Sequence, residues 1–357
     1  MFNRKTQYFA VSIILSLSML VLLAGCSSKS EEAGLIPVDT VTAPPLDDRQ
    51  QQTGASDTVK ILDAANAYLT SDQGKTPTIS AQDVYNKIVK GGDSSYFLVS
   101  LQKPEHYAEG HVPGAINIPY NQIAKKENLA KLPKDKKIVT ICYTGHTASY
   151  TAMFLNEIGY EAYVMKFGTM AWNDTTAGLG GSFKPYAKSA ALPVDTAVVD
   201  APATNELPAI STGQADINDI IISATDSYLS SGKSPTISTQ DINQKVVKEG
   251  DSSYFLVSLQ KPEHYANGHV PGAINIPYNQ IAREGSLKKL PKDKKIVTIC
   301  YTGHTASYTA MLLNQLGYEA YSMKFGTMAW NDATTGLGAN FKPYIKSAGY
   351  EVSTGSN

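Results

Sequence analysis

The chain has 357 residues, of which 42% are apolar, enough for two or three domains with packed cores. Its net charge is −1 with no long run of one sign, which speaks against nucleic acid as a main partner, because a phosphate-binding surface carries a basic excess. Its three cysteines, Cys26, Cys142 and Cys300, do not make the even-numbered framework of a disulfide-stapled exported domain, and the 21 tyrosines are read as packing.

At the amino terminus, Arg4 and Lys5 precede an apolar stretch over 9–23 that ends in Leu23-Ala24-Gly25-Cys26. At 15 residues the stretch is short for a membrane span, which needs roughly 20. The segment resembles a bacterial lipoprotein signal with its lipobox. That resemblance implies cleavage before Cys26 and a lipid on the Cys26 thiol. The chain is then exported and lipid-anchored to a membrane, periplasmic or on the outer cell surface; an uncleaved transmembrane anchor is the other reading. Residues 27–55 are polar and Pro-containing with no apolar period, which predicts a solvated tether.

The rest is a duplication. Residues 93–124 and 251–282 differ only at Glu109 against Asn267, and 132–153 and 290–311 are identical. The reading is a first domain over 56–189, an Ala-, Pro- and Thr-rich linker over 190–213, a second domain over 214–350 and a tail over 351–357. Within the first copy, Val59, Leu62, Ala65 and Leu69 have helical spacing. Ser80 with Asp83 predicts an N-capped helix running through Val89. Residues 96–99 predict a short buried strand, 103–114 a loop, 115–118 a second strand candidate and 137–141 a third, which ends at Cys142. Residues 146–158 predict a helix stopped by Gly159, and 162–165 a further strand. Strands alternating with helices predict an α/β fold in each copy, a parallel sheet with helices on both faces. Sites in such sheets lie at the carboxyl ends of strands, where Cys142 stands.

Cys142-Tyr143-Thr144-Gly145-His146-Thr147-Ala148-Ser149 joins that strand to the helix, and Cys300-Tyr301-Thr302-Gly303-His304-Thr305-Ala306-Ser307 repeats it. A loop curling into a helix N-terminus aims backbone N–H groups inward, where they stabilise a thiolate and can hold the outer sulfur of a persulfide. A buried structural cysteine is the competing reading. No cluster of His, Cys, Asp and Glu has metal-ligand spacing, so neither metal nor cofactor is expected.

The motifs together resemble the rhodanese domain. Residues 104–119, with Gly110-His111-Val112-Pro113-Gly114, look like the family's upstream signature. Cys142-Tyr143-Thr144-Gly145 looks like the start of its active-site loop, and Gly168 with Trp172 like its closing element. The second copy repeats all three, through His269 and Gly272, Cys300 to Gly303, and Gly326 with Trp330. The resemblance implies a sulfurtransferase in which Cys142 and Cys300 carry sulfane sulfur from polysulfide, a persulfide or thiosulfate to a thiol or cyanide. Residues Tyr143, Thr144, Gly145, His146, Thr147 and Ala148, and Tyr301, Thr302, Gly303, His304, Thr305 and Ala306, would cradle the persulfide. The implied partners are small sulfur compounds, a sulfur-accepting thiol or protein, and the membrane through Cys26.

The sequence departs from the family in two places. Where many rhodaneses have Asp-x-Arg after the first central strand, this chain has Ser100-Leu101-Gln102 and Ser258-Leu259-Gln260, which predicts neutral hydrogen bonds. The cysteine loops carry no Arg or Lys, which weakens the case for a dianion such as thiosulfate. His146 and His304 are expected either to hold an anion or lower the thiol pKa when protonated, or to face solvent at the start of the helix. His111 and His269 are read as structural, and Trp172 and Trp330 as core. An extracytoplasmic sulfur-binding carrier with little intrinsic turnover is the alternative function, and a phosphatase is set aside because the loop lacks an Arg.

Overall fold

A computed structural model of the chain describes residues 56–179, 189–337 and 347–356. The segments expected as an export signal and a tether, with Cys26, lie outside the described residues. No helix among the described residues is long and apolar enough to cross a membrane.

In the first repeat the strands are β1 (Thr78–Ile79), β2 (Tyr96–Ser100), β3 (Ile116–Asn117), β4 (Lys137–Ile141) and β5 (Ala162–Met165). The second repeat has β6 (Thr236–Ile237), β7 (Tyr254–Ser258), β8 (Ile274–Asn275), β9 (Lys295–Ile299) and β10 (Glu319–Met323). The sheets are wholly parallel, in the order β1-β5-β4-β2-β3 and β6-β10-β9-β7-β8. The continuous apolar runs of β4 and β9 occupy the central position because only a strand covered on both faces can bury every side chain. Cys142 and Cys300 follow these central strands directly.

The helix Asp57–Thr70 is capped by Ser56, and Ser80 Oγ accepts from the Asp83 N–H as its spacing predicts. The second of these helices continues over Val84–Val89 with π-type pairing. The segment 103–114, expected as a loop, contains the helix Pro104–Glu109. Pro104 stands in the first turn, where its missing N–H is no loss, and the turn ends at Gly110. The expected strand over 115–118 shrinks to Ile116–Asn117.

The two repeats share one core. The helices after the cysteines, His146–Glu157 and His304–Gln315, pack on each other with nearly all their residues buried. Tyr68 stacks on Tyr308 and Tyr150 on Tyr228, both at 6.0 Å between ring centroids. Tyr150 donates to the Pro235 carbonyl and Tyr308 to the Pro77 carbonyl, so each repeat anchors a tyrosine on the other. Segments are also exchanged. The residues following the first repeat lie along the second, where Asp195 pairs with His269 and the Trp330 indole N–H donates to the Pro193 carbonyl at 2.8 Å. The end of the chain returns to the first repeat, where Ser353 pairs with His111 and Trp172 donates to the Glu351 carbonyl at 2.7 Å.

Where the duplicated helices meet, the pair is Glu157 against Gln315, whose side-chain amide donates to Glu157 Oε2 at 2.7 Å and to Thr225 Oγ1 at 2.9 Å. Glu157 Oε1 has no hydrogen-bond partner among the described residues. Burial pushes the Glu157 carboxyl up to about 8. A raised carboxyl contributes stability that is complete below its ordinary range near 4.5 and is lost as pH rises through about 8. Glu157→Gln is therefore expected to raise stability by roughly 2 kcal/mol above pH 8 and by little at pH 4. Urea midpoints across that range check this, and a uniform shift at all pH values would contradict it.

Candidate active site

Both cysteine loops have the same geometry. Cys142 is 1% exposed and Cys300 2%. The Gly145 N–H donates to Cys142 Sγ at 3.1 Å, and the Gly303 N–H to Cys300 Sγ at 3.0 Å. Gly145 and Gly303 both take φ of 87°, left-handed backbone that closes the turn before a 12-residue helix. Each thiol thus sits at the carboxyl end of a central strand and against a helix N-terminus. A positive end of that kind attracts a bound anionic group.

The other loop residues are fixed by their partners. The Tyr143 hydroxyl accepts from the Lys103 N–H at 3.0 Å and meets His106 Nδ1 at 2.7 Å; Tyr301 repeats this with Lys261 and His264. These rings are turned toward the upstream helix and wall the loop. Thr144 Oγ1 bonds His146 Nδ1 at 2.9 Å, and Thr302 bonds His304 at 3.0 Å. Thr147 and Thr305 are half-buried in the first helical turn. Ala148 and Ala306 are fully buried and their carbonyls accept from Thr140 and Thr298. The carbonyl of Cys142 accepts from the Thr169 N–H at 2.8 Å, which ties the loop to the helix Gly168–Trp172; Cys300 does the same with Thr327. Gly168 is required there, because a Cβ would run into the Cys142 carbonyl.

The two histidines correct the expectation from sequence. His146 and His304 are each 2% exposed, so neither faces solvent. The Phe325 N–H donates to His146 Nε2 at 3.0 Å, and the Phe167 N–H donates to His304 Nε2 at 3.1 Å. Each histidine is therefore a hydrogen-bond acceptor for the opposite repeat. An Nε2 that accepts leaves the proton on Nδ1, which donates to the threonine hydroxyl two residues upstream. Burial pushes His146 down to about 3, helped by the charge of Lys324. Burial, His146 and Lys166 push His304 well below its usual range. Neither ring is a cation for substrate. The rings stack at 6.1 Å between centroids, and a side chain at Gly145 would strike His304 Nε2, as one at Gly303 would strike His146 Nε2. The two cysteine loops therefore meet across the seam between repeats.

The charged pair missing from the first central strand is replaced as expected. Ser100 Oγ donates to Gln102 Oε1 at 2.8 Å, and Gln102 Nε2 donates to the Gly110 carbonyl at 3.1 Å, all of it buried. The second repeat has the same bonds through Ser258 and Gln260. His111 stacks on Tyr107 at 3.6 Å and bonds the Tyr107 carbonyl, which fixes the upstream turn. Trp172 and Trp330 are fully buried. No group of three or more His, Cys, Asp and Glu able to hold a metal occurs among the described residues.

Sequence reasoning placed Phe167 in the closing motif but missed the contacts of Phe167 and Phe325, which lie two residues beyond β5 and β10. Both phenylalanines have positive φ, 63° and 60°, and their amides donate to the opposite histidines. Their repetition was visible in the sequence; their contact across repeats was not.

The rhodanese-like domain family model matches residues 80–175 and 239–333, together more than half of the chain. Over 98 residues the chain is 30% identical to YtwF of Bacillus subtilis (strain 168), which bears a sulfurtransferase name; the match takes in 28% of this chain and 91% of that protein. Over 93 residues it is 28% identical to the thiosulfate sulfurtransferase GlpE of Shewanella oneidensis, covering 26% of this chain and 90% of that protein. A rhodanese-related protein of Thermoplasma volcanium aligns at 26% identity with a TM-score of 0.24, over 27% of this chain and 88% of that one. The two matched domains and the sulfurtransferase names of these relatives support a sulfurtransferase activity in general. With the family model matched at both cysteine-bearing repeats, the chain belongs to the rhodanese-like domain family and carries that domain twice.

Proposed function

We propose that the protein moves sulfane sulfur through persulfides on Cys142 and Cys300. What carries the reading is the placement of a thiol, in both repeats, at the end of the central strand with a backbone N–H of the same loop on its sulfur. The thiolate attacks the terminal sulfur of a polysulfide; the S–S bond breaks and the shortened polysulfide leaves with the electron pair. The loop then holds the persulfide, with the helix N-terminus offsetting its charge. An acceptor thiolate attacks the outer sulfur, a new persulfide forms on the acceptor, and the cysteine thiolate is regenerated. Cyanide as acceptor gives thiocyanate by the same step. In this reading the signal over 1–26 exports the chain and Cys26 carries a lipid that holds it at a membrane.

The thiols' near-complete burial favours a second reading, a sulfur carrier that loads readily and releases slowly. Turnover with an added acceptor separates the two.

The test is intact mass of the reduced full chain after incubation with polysulfide and, separately, with thiosulfate. One added sulfur per repeat is expected, with Cys142→Ser and Cys300→Ser each losing one addition. Freshly reduced protein that gains no sulfur from either donor would sink the proposal.

A further inference from the structure

The turn after the first long helix of each repeat begins alike and ends differently. Ser71 Oγ donates to the Tyr68 carbonyl at 2.6 Å, and Ser231 Oγ to the Tyr228 carbonyl at 2.6 Å. The first repeat continues with Asp72-Gln73-Gly74-Lys75, whereas the second goes straight on to Gly232-Lys233. The two extra residues make a helical turn, Asp72–Lys75, packed so closely on the helix before it that a Cβ at Gly74 would strike the Tyr68 carbonyl. The shorter turn stands clear: Gly232 takes φ of 67°, and a Cβ there would meet nothing within 4 Å.

The longer turn also delivers a side chain. Gln73 Nε2 donates to Asn156 Oδ1 at 2.8 Å and to the Ala162 carbonyl at 3.3 Å. Asn156 Oδ1 accepts from the Ala162 N–H as well, at 2.9 Å, so both its acceptor places are taken. Asn314, its counterpart, keeps the bond from the Ala320 N–H at 3.1 Å and donates to the Ala310 and Ala320 carbonyls. Its Oδ1 accepts from no further group among the described residues. Asn314 instead lines a cavity of about 380 Å³ together with Gln315, Ser227, Ser231 and the exposed Lys233. Gln315 is 2% exposed; its side-chain N–H groups serve Glu157 and Thr225, and its Oε1 has no hydrogen-bond partner among the described residues. The buried wall thus offers two amide oxygens, in the last turn of the helix His304–Gln315, whose negative end favours a donor. The described lining residues include Lys233 and no Asp or Glu.

We propose that this cavity binds a small carboxylate that carries a primary amide, the amide taking the place that Gln73 fills in the first repeat and the carboxylate turned toward Lys233. The ligand's amide N–H groups donate to Asn314 Oδ1 and Gln315 Oε1, which offsets the cost of burying those oxygens. The carboxylate stays at the exposed side, where Lys233 and water share its charge. The volume lies within the range of small-molecule sites, roughly 300–1,000 Å³. Cys300 precedes one end of the helix His304–Gln315 and the cavity adjoins the other, so the site is separate from the cysteine loops and independent of sulfur transfer.

The experiment is calorimetric titration of the full chain with succinamate, a four-carbon carboxylate bearing a primary amide, and with succinate, which has no N–H to donate. Saturable binding of succinamate at one site per chain is expected, with succinate at least about tenfold weaker. Inserting Asp-Gln between Ser231 and Gly232 rebuilds the longer turn and is expected to abolish binding. Ser227→Phe, at an exposed position of the helix Ile217–Ser230, fills the cavity from another side and serves if the insertion does not fold. Lys233→Met is expected to weaken succinamate about threefold. Urea midpoints show which variants are folded. No saturable binding of succinamate would overturn the proposal, as would binding that survives both the insertion and Ser227→Phe, or equal affinity for succinate.

Discussion

Ending the chain before Ser347 is expected to destabilise the first repeat, although the deleted residues follow the second. The lost segment supplies the carbonyls of Glu351 and Tyr350 to the Trp172 indole N–H and the Asn173 amide. It also supplies the Ser353 pairing with His111, and the Tyr350 ring that stacks on Tyr85 at 4.2 Å. Trp172 is fully buried, so its N–H would be left either without a partner or newly exposed with the core around it. One unsatisfied buried donor costs about 1–3 kcal/mol, and the lost aromatic stack and apolar cover bring the sum to roughly 4 kcal/mol. The second repeat keeps its own cover, because Leu192, Pro193 and Asp195 do the same work on Asn331, Trp330 and His269. Hydrogen exchange read by mass spectrometry distinguishes the outcomes. Faster exchange over 104–111 and 168–173, with 262–269 and 326–331 unchanged, is expected. Equal loss in both repeats would mean that they unfold as one unit and that the exchanged tail has no local role.

Acid is expected to open the seam between the repeats. His146 and His304 are buried, stacked on each other, and each accepts an amide hydrogen bond that a protonated ring cannot accept. Both are held neutral in the folded chain, His146 down to about 3 and His304 well below its ordinary range. Protonation then favours the unfolded chain. The stability that the neutral rings contribute is complete above the ordinary histidine range near 6.5 and falls as pH drops below it toward 3. At pH 5 the loss is roughly 2 kcal/mol for each histidine. Glu157 acts in the opposite direction between pH 8 and 4.5, so the comparison belongs in the Glu157→Gln background. Urea midpoints at pH 7, 6 and 5 measure the slope. Replacing both histidines by Gln, which keeps an acceptor oxygen but has no ionisable ring, is expected to flatten it. A slope that survives the double replacement would place its source elsewhere.

Duplication made the two loops identical, and the cross-repeat packing then gave each loop neighbours drawn from the other copy. Residues outside the identical blocks differ, as at Glu157 against Gln315, and there the two repeats meet through unlike side chains.

Much of this was legible in the sequence for physical reasons that act locally. The offset of the repeats, the apolar runs of β4 and β9, the Ser80 cap and the Gly145 turn each depend on residues close together in the chain. The neutral Ser100 and Gln102 pairing was legible for the same reason. The Pro104–Glu109 helix was not, because its Gly- and Pro-containing surroundings carry loop signals and its single buried contact, Tyr107, is tertiary. The partners of His146 and His304 lie 179 and 137 residues away, and no periodicity reports on a contact of that span. Burial decided their charge, and burial is a property of the assembled repeats. The sequence by itself therefore determined two copies of an α/β domain with a cysteine at each central strand end. Only the tertiary structure decided that each cysteine loop is braced by the other repeat, because a neutral buried histidine accepting an amide across a seam exists only once both copies have packed.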